Sequence, residues 1–317
     1  MKRFVRIFSR WQNLLGLVII AMFMVAASAA TFISPEDPKN PGAFMHVKGL
    51  FLADLEPHPP SAESILGTLP GQFDTFHALI AGILNALSFG LSIALISGSF
   101  GVLFGASAAY IGGLANNVLM RIADAFLAFP VIAGVVLLRV LWFSTVLDQG
   151  GLFYNNRWVF EPTSTDTPIQ WLFQHTDPLP VILILFSWMP YARLTNTMVA
   201  TLKQADFIQA ARALGANPVR VILRHLVPNA ISPAVVLVAR DIGNLVILQA
   251  TFTFIGISGG SVWGEMLSMG RDWVIGAGGI LTYWWTFLPA TLALVLFSSG
   301  WNLLGDAFNE LLDPHSS

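Results

Sequence analysis

The chain has 317 residues, of which 55% are hydrophobic and 11% charged, and its mean hydropathy is +0.68. Soluble domains have about 45–50% apolar and about 25% charged residues, so the deficit of charge points to a bilayer. A formal net charge of -2 argues against a nucleic-acid binder, and the absence of cysteine excludes structural disulfides, thiolate metal sites and a cysteine nucleophile.

A helix crosses about 30 Å of hydrocarbon with about 20 predominantly apolar residues, because lipid offers no partner for free backbone groups. Six stretches meet that condition: Leu14 to Ile33, Leu84 to Ile111, Val118 to Val146, Leu179 to Val199, Ile231 to Ile257 and Leu281 to Leu304. The expected class is therefore all-α, a polytopic membrane protein of about six transmembrane helices. Lys2, Arg3, Arg6 and Arg10 precede the first span, which places residues 1–13 in the cytoplasm by the positive-inside rule. Alternation then puts Arg121, Lys203, Arg212, Arg220 and Arg224 inside and leaves only Lys39, Lys48, Arg157 and Arg271 in outer loops. Both termini are expected on the cytoplasmic side of a cell membrane.

The first span, residues 14–33, ends near "ASAA" (Ala27 to Ala30) and shares features with a cleavable signal peptide. Its apolar run exceeds the usual 7–15 residues of such a signal, which favours a retained anchor. An external loop, 34–83, follows, punctuated by Pro35, Pro38, Pro41, Pro57, Pro59, Pro60 and Pro70. In the second span Gly98, Gly101 and Gly105 make a small-residue face that suits close helix packing, within the chain or against another subunit. Trp142, Trp158, Trp171, Trp263, Trp273, Trp284 and Trp285 fall near outer span ends and read as an aromatic belt. Residues 84–306 form a five-helix core that includes a cytoplasmic loop, 200–228, and 307–317 form a cytoplasmic tail.

Charge at membrane depth is expensive, which singles out Asp124, Arg139, Arg193, Arg240 and Asp241. Arg121 and Asp124, one turn apart, suit an interfacial ion pair, and Arg139 can snorkel. Arg240, Asp241 and Asn244 lie deeper in their span and are candidates for a water-filled path or for structural pairing. Chemical signatures are sparse. There is no phosphate-binding G-x-x-x-x-G-K-[ST] loop and no H-E-x-x-H pair, and the six histidines have no metal-ligand spacing. "GISGG" (Gly256 to Gly260) matches G-x-S-x-G, but a membrane helix precedes Ser258 where a nucleophile elbow needs a strand. No metal or cofactor site is expected.

Between the fourth and fifth spans lies a basic segment, "IQAARALGANPVRVILRHLVPN", from Ile208 to Asn229. Gly215 divides it, and Asn217 with Pro218 is a good helix start. Two short helices follow, with Phe207, Ala210, Ala211 and Leu214 on one apolar face and Val219, Ile222 and Leu226 on the other. Pro228 and Pro233 end the hairpin. Its amphipathic faces suit either rest on lipid headgroups or insertion into the groove of a cytoplasmic partner.

"QAARALGANPVRVILRHLVPN" resembles the cytoplasmic EAA loop of binding-protein-dependent ABC importer permeases, with the Ala-Ala pair at Ala210 and Ala211, the glycine at Gly215 and the closing proline at Pro228. "MRIADAFLAFP", "DIGNLVILQATFTFIGIS", "VWGEML", "YWWTFLPATLAL" and "NLLGDAFNELLDP" look like the C-type permease subunit of the dipeptide, oligopeptide and nickel transporters. The resemblance covers the first span and almost everything from Leu84 onward. It implies a type I importer permease fold and a chain that itself makes and breaks no bond. It also implies partners: a homologous permease, two ATP-binding cassette ATPases, an external solute-binding protein and the surrounding bilayer. Ile208, Gln209, Ala210, Ala211, Arg212, Leu214 and Gly215 would then form the coupling helix seated in an ATPase cleft, and a short peptide or a nickel chelate would be the solute. The sequence departs from the family where glutamate is usual at Gln209, at the often acidic position of Gln249, and where "GTD..GRD" becomes "GTLPGQFD" (Gly67 to Asp74), with Leu69 for aspartate and Phe73 for arginine. Competing readings are an ATP-independent secondary transporter using Arg240 and Asp241, and a membrane hydrolase at Ser258.

Overall fold

The computed structural model describes residues 10–35, 38, 42–47, 55–146, 152–154, 157–159, 177–257, 260–276 and 279–312. The chain forms two compact units, one of Met1–Ala94 with Val235–Ser317 and one of Leu95–Ala234. Among the described residues, five helical segments are long and apolar enough to cross a membrane, and a sharply bent helix pair supplies a sixth candidate. That matches the all-helical, polytopic class expected from hydropathy.

In the first unit, α1 (Trp11–Ser28) is followed by a single turn, Ala30–Ile33, and later by a hairpin of β1 (Thr68–Leu69) and β2 (Phe73–Asp74). The register pairs Leu69 with Phe73, so the two positions where the family carries opposite charges are here cross-strand apolar partners. The Asp74 carboxylate accepts from the backbone N–H of Phe76 (2.8 Å) and His77 (3.3 Å) and starts α2 (Thr75–Ile111). At 37 residues α2 is about 55 Å long, well beyond the hydrocarbon thickness, and it begins nine residues before the expected Leu84. The nine added residues, TFHALIAGI, are themselves largely apolar, so the Asp74 cap and not a change in hydropathy marks where the helix begins.

The same unit holds α10 (Ser232–Phe254) from Val235 onward, a short α11 (Val262–Gly270) and α12 (Leu288–Leu312). The sixth span starts at Leu288 rather than Leu281. Leu281 has φ 72 and Trp284–Thr286 make a 3-10 turn, because this aromatic segment is taken up by the segment that precedes α2: Trp285 Nε1 donates to the Thr68 carbonyl (3.1 Å) and Tyr283 Oη to Glu56 (2.8 Å). Pro289 suits the first turn of α12, where its missing N–H has no partner to lose. Glycines let α1 and α12 meet closely. A Cβ on Gly16 would lie 2.5 Å from that of Leu303, and one on Gly300 would lie 2.8 Å from the Ile19 Cγ2.

Trp263 corrects one expectation. It is buried, donates Nε1 to the Leu79 carbonyl (3.0 Å) and packs edge-on against Phe297, with Phe23 completing the cluster. It is therefore core and not belt. Trp285 is likewise buried, whereas Trp284 is exposed and Trp273 stacks edge-on against Tyr283. The side chains of Trp142, Trp158 and Trp171 lie outside the described residues.

The second unit contains the rest of α2, then α3 (Gly113–Ala128), α4 (Val131–Val146), a two-stranded pairing of β3 (Leu152–Tyr154) with β4 (Arg157–Val159), α5 (Pro178–Ser187) and α6 (Met189–Leu202). The third expected span is broken: α3 and α4 bend by 85°. Pro130 is the cause, since it cannot donate to the helix ladder and forces Phe129 into an extended conformation, φ -80 and ψ 129. Asp177 caps α5 by accepting from Leu179 N (3.0 Å), with Pro178 in the first turn. The glycine face of α2 is used within this unit. Gly101 lies against the Trp188 carbonyl and Gly105 against that of Ala192, so close that a Cβ at either position would overlap the backbone at the start of α6.

Candidate functional site

The basic segment folds as the sequence expects in outline, with α7 (Asp206–Ala213), α8 (Pro218–Val221), a π-helical turn (Ile222–Leu226) and α9 (Val227–Ala230). Asp206 in the first turn and Arg212 in the last complement the helix dipole of α7. The helix ends in a Schellman motif. Gly215 N donates to the Arg212 carbonyl (2.9 Å) and Ala216 N to that of Ala211 (3.1 Å), with Gly215 at φ 75. Two residues later the Asn217 Oδ1 accepts from Val219 N (2.9 Å), and Pro218 opens α8.

Burial distinguishes the two sides of the hairpin. Ile208, Val221 and Leu226 are buried in one cluster with Ala106, Ala109, Val199 and Ala230, whereas Phe207 is 47% and Leu214 89% exposed. Ala210 and Val219 are exposed too, and Ala211 is half-buried. At 100° per residue, Phe207, Ala210 and Leu214 lie on the side of α7 opposite Ile208. The apolar stripe read from the sequence is real, but this chain leaves it open. Ile208, expected among the groups a partner touches, is instead the inward anchor.

Three polar contacts hold α7 in place. Lys203 Nζ donates to the Ala109 carbonyl near the end of α2 (2.9 Å). The Arg212 guanidinium lies 4.3 Å from the centroid of the Tyr110 ring. Gln209 folds back, its Nε2 donating to the Gln204 carbonyl (2.9 Å).

The charged residues of the spans find partners that local spacing did not indicate. Asp124 is paired with Arg193 on α6 at 3.1 Å rather than with Arg121 one turn away. Asn196, three residues after Arg193 on α6, donates to Asn116 Oδ1 (2.6 Å) and to the Gly105 carbonyl (3.2 Å). Neither asparagine was singled out by sequence reasoning, although an amide within an apolar helix is itself a signal for such a bond. Arg240 forms an ion pair with Asp306 on α12, and Asn244, one turn on, is exposed. Asp241 is half-buried. Arg10 is paired with Glu310, whose other oxygen accepts from the buried Asn13 (2.9 Å). These contacts fasten α1 and α10 to α12 within the first unit.

Ser258 lies outside the described residues. The helix α10 leads toward it where a nucleophile elbow would have a strand. Beyond it, the Gly260 carbonyl accepts from Asn85 (2.7 Å) and Gln249 (3.1 Å), and Ser261 caps α11 through Gly264 N (3.1 Å). In the segment before α12, Tyr283 is held above the ordinary phenol range by its hydrogen bond to the Glu56 carboxylate.

Comparison with known sequences decides what this scaffold is. The model of the inner membrane component of binding-protein-dependent transport systems matches residues 101–317. The chain belongs to this family. It is 26% identical over 313 residues to a putative peptide transport system permease protein of Brucella suis biovar 1, covering 98% of this chain and 90% of that one. It is 29% identical over 315 residues to the nickel transport system permease protein of Escherichia coli K12, covering 97% and 95%. An oligopeptide transport system permease protein of Bacillus subtilis is 26% identical over 307 residues, covering 95% and 85%. The chain is thus a multi-pass permease subunit of an ABC importer, and its hairpin lies within the family match.

Proposed function

We propose that the hairpin of α7 and α8 is the cytoplasmic docking element through which two separate ATPase subunits drive this permease. The observation that carries this reading is the outward apolar stripe of Phe207, Ala210 and Leu214 on a helix whose inward anchor is Ile208. A short helix with one face bound to its own chain and an unsatisfied face outward is built to fill a groove in a second protein. Gln209, Ala211, Arg212 and Gly215 belong to the same element: Gly215 sets its end, and Arg212 and Gln209 hold it from behind. The excess of basic residues before the first span and in the hairpin supports cytoplasmic termini. A homologous permease completes the pathway, and an external binding protein delivers the solute. The solute class is a short peptide or a nickel chelate, as the names of the relatives suggest. Closure of the ATPases on ATP moves α7 and switches the pathway by rigid-body alternation, with no covalent step in this chain.

The test is purification of the tagged chain from native membranes and its return to liposomes. Two ATPases and a second permease should accompany it, and uptake should require ATP and the external binding protein. Solute movement by the lone subunit down an ion gradient would favour a secondary transporter built on Arg240, Asp241 and Asn244, and would overturn this reading.

A further inference from the structure

We propose that Arg212 is a positioning residue, stacked on Tyr110 so that displacement of α7 is carried to the C-terminal end of α2. The inference rests on the docking role given above to α7. An eight-residue helix held by one buried side chain can rock about that point. Ile208 is the buried residue, and Arg212, four positions later, lies on the same side of the helix. Its guanidinium sits 4.3 Å from the Tyr110 centroid, so a second hold one turn along converts a pivot into a line of attachment.

The far side of that attachment is specific. Tyr110 is the penultimate residue of α2, and it packs against the cluster that contains Ile208 and Ala109. The carbonyl of Ala109 receives Lys203 at 2.9 Å, from the turn that enters α7. The end of α2 is thus gripped by Lys203, three residues before α7, by the first turn of α7 and by its last. An arginine suits the last grip, because its flat, weakly hydrated cation stacks on a ring where an ammonium would stay in water. This places Arg212 behind the docking face formed by Phe207, Ala210 and Leu214, with its charge directed at its own chain.

The experiment uses the complete transporter in liposomes and reads two quantities, the ATPase subunits retained per permease and the solute moved per ATP hydrolysed. Arg212→Met keeps the aliphatic stem at an exposed position and removes the cation. Tyr110→Leu removes the ring, and Tyr110→Phe keeps it. Arg212→Met and Tyr110→Leu should each lower solute per ATP about two- to fivefold, the range an exposed cation–π contact supports, with the ATPase complement unchanged. Tyr110→Phe should behave as the unaltered protein, and the double variant should be no worse than the poorer single one. A normal ratio in Arg212→Met would overturn the inference. So would loss of ATPase from Arg212→Met but not from Tyr110→Leu, which would make Arg212 a contact with the partner. An unaltered chain that purifies with no ATPase refutes the docking role itself, and this inference with it.

Discussion

Two apolar residues of α7, six positions apart, should respond in opposite ways to substitution. Ile208 is fully buried, and Ile208→Ala removes three carbons, a loss of about 2.4 kcal/mol at about 0.8 kcal/mol each. The cavity left among Ala106, Ala109, Val199, Val221 and Leu226 raises this to about 3–4 kcal/mol. An isolated helix of eight residues has no stability of its own, so the loss falls on local opening of the hairpin. About 3 kcal/mol corresponds to roughly a 150-fold fall in amide exchange protection across Ile208 to Leu214 in the purified subunit. Leu214 is 89% exposed, so Leu214→Asp should leave that protection within about twofold, an exposed change being worth about 0.5 kcal/mol or less. In the complete transporter the order inverts for Leu214→Asp, which should shed the ATPase subunits. Exchange measured by mass spectrometry, on subunit and complex, separates the two effects. Unchanged protection in Ile208→Ala would refute the anchor, and retained ATPase in Leu214→Asp would refute the docking stripe.

Gly215→Ala meets no neighbouring atom, so its cost is that of φ 75 for a residue with a Cβ, about 1–2 kcal/mol, seen as earlier thermal unfolding of the hairpin in a proteolysis series. Gly105→Leu should be far more severe: its side chain would have to displace the backbone of α6 at Ala192, and failure to accumulate as a folded, detergent-stable subunit is the expected outcome. Gln72→Gly relieves φ 62 but strips buried bonds to the Glu56 carbonyl (2.8 Å) and Thr68 (3.1 Å), for a net loss of about 1–2 kcal/mol read by denaturant titration. Asp306→Asn breaks the pair with Arg240, whose side chains are 44% and 54% exposed. It should change stability by less than about 1 kcal/mol and leave ATP-driven uptake intact. A loss of transport with normal assembly would instead make that pair part of the solute path.

Much of the site was legible in the sequence because its signals are local. Asn217 before Pro218 caps a helix wherever that dipeptide meets an apolar period, and Gly215 can end one in the left-handed region without help from distant residues. The apolar runs announce the spans because lipid permits little else. Even the break in the third stretch is written locally, in Pro130 and its effect on Phe129, and an unbroken hydropathy window simply averages it away.

What tertiary structure alone decided is who meets whom. Asp124 had a basic residue one turn away in Arg121, yet it pairs with Arg193 because helix packing brings α6 alongside α3. Trp263 left the expected belt for the core because Phe23, Phe297 and the Leu79 carbonyl converge on it from three other segments. Helical periodicity could place Phe207, Ala210 and Leu214 on one side of α7, but it carries no information about which side a neighbouring helix covers. That choice belongs to Ile208, because the cavity that receives it is assembled from residues of α2, α6 and the far arm of the hairpin.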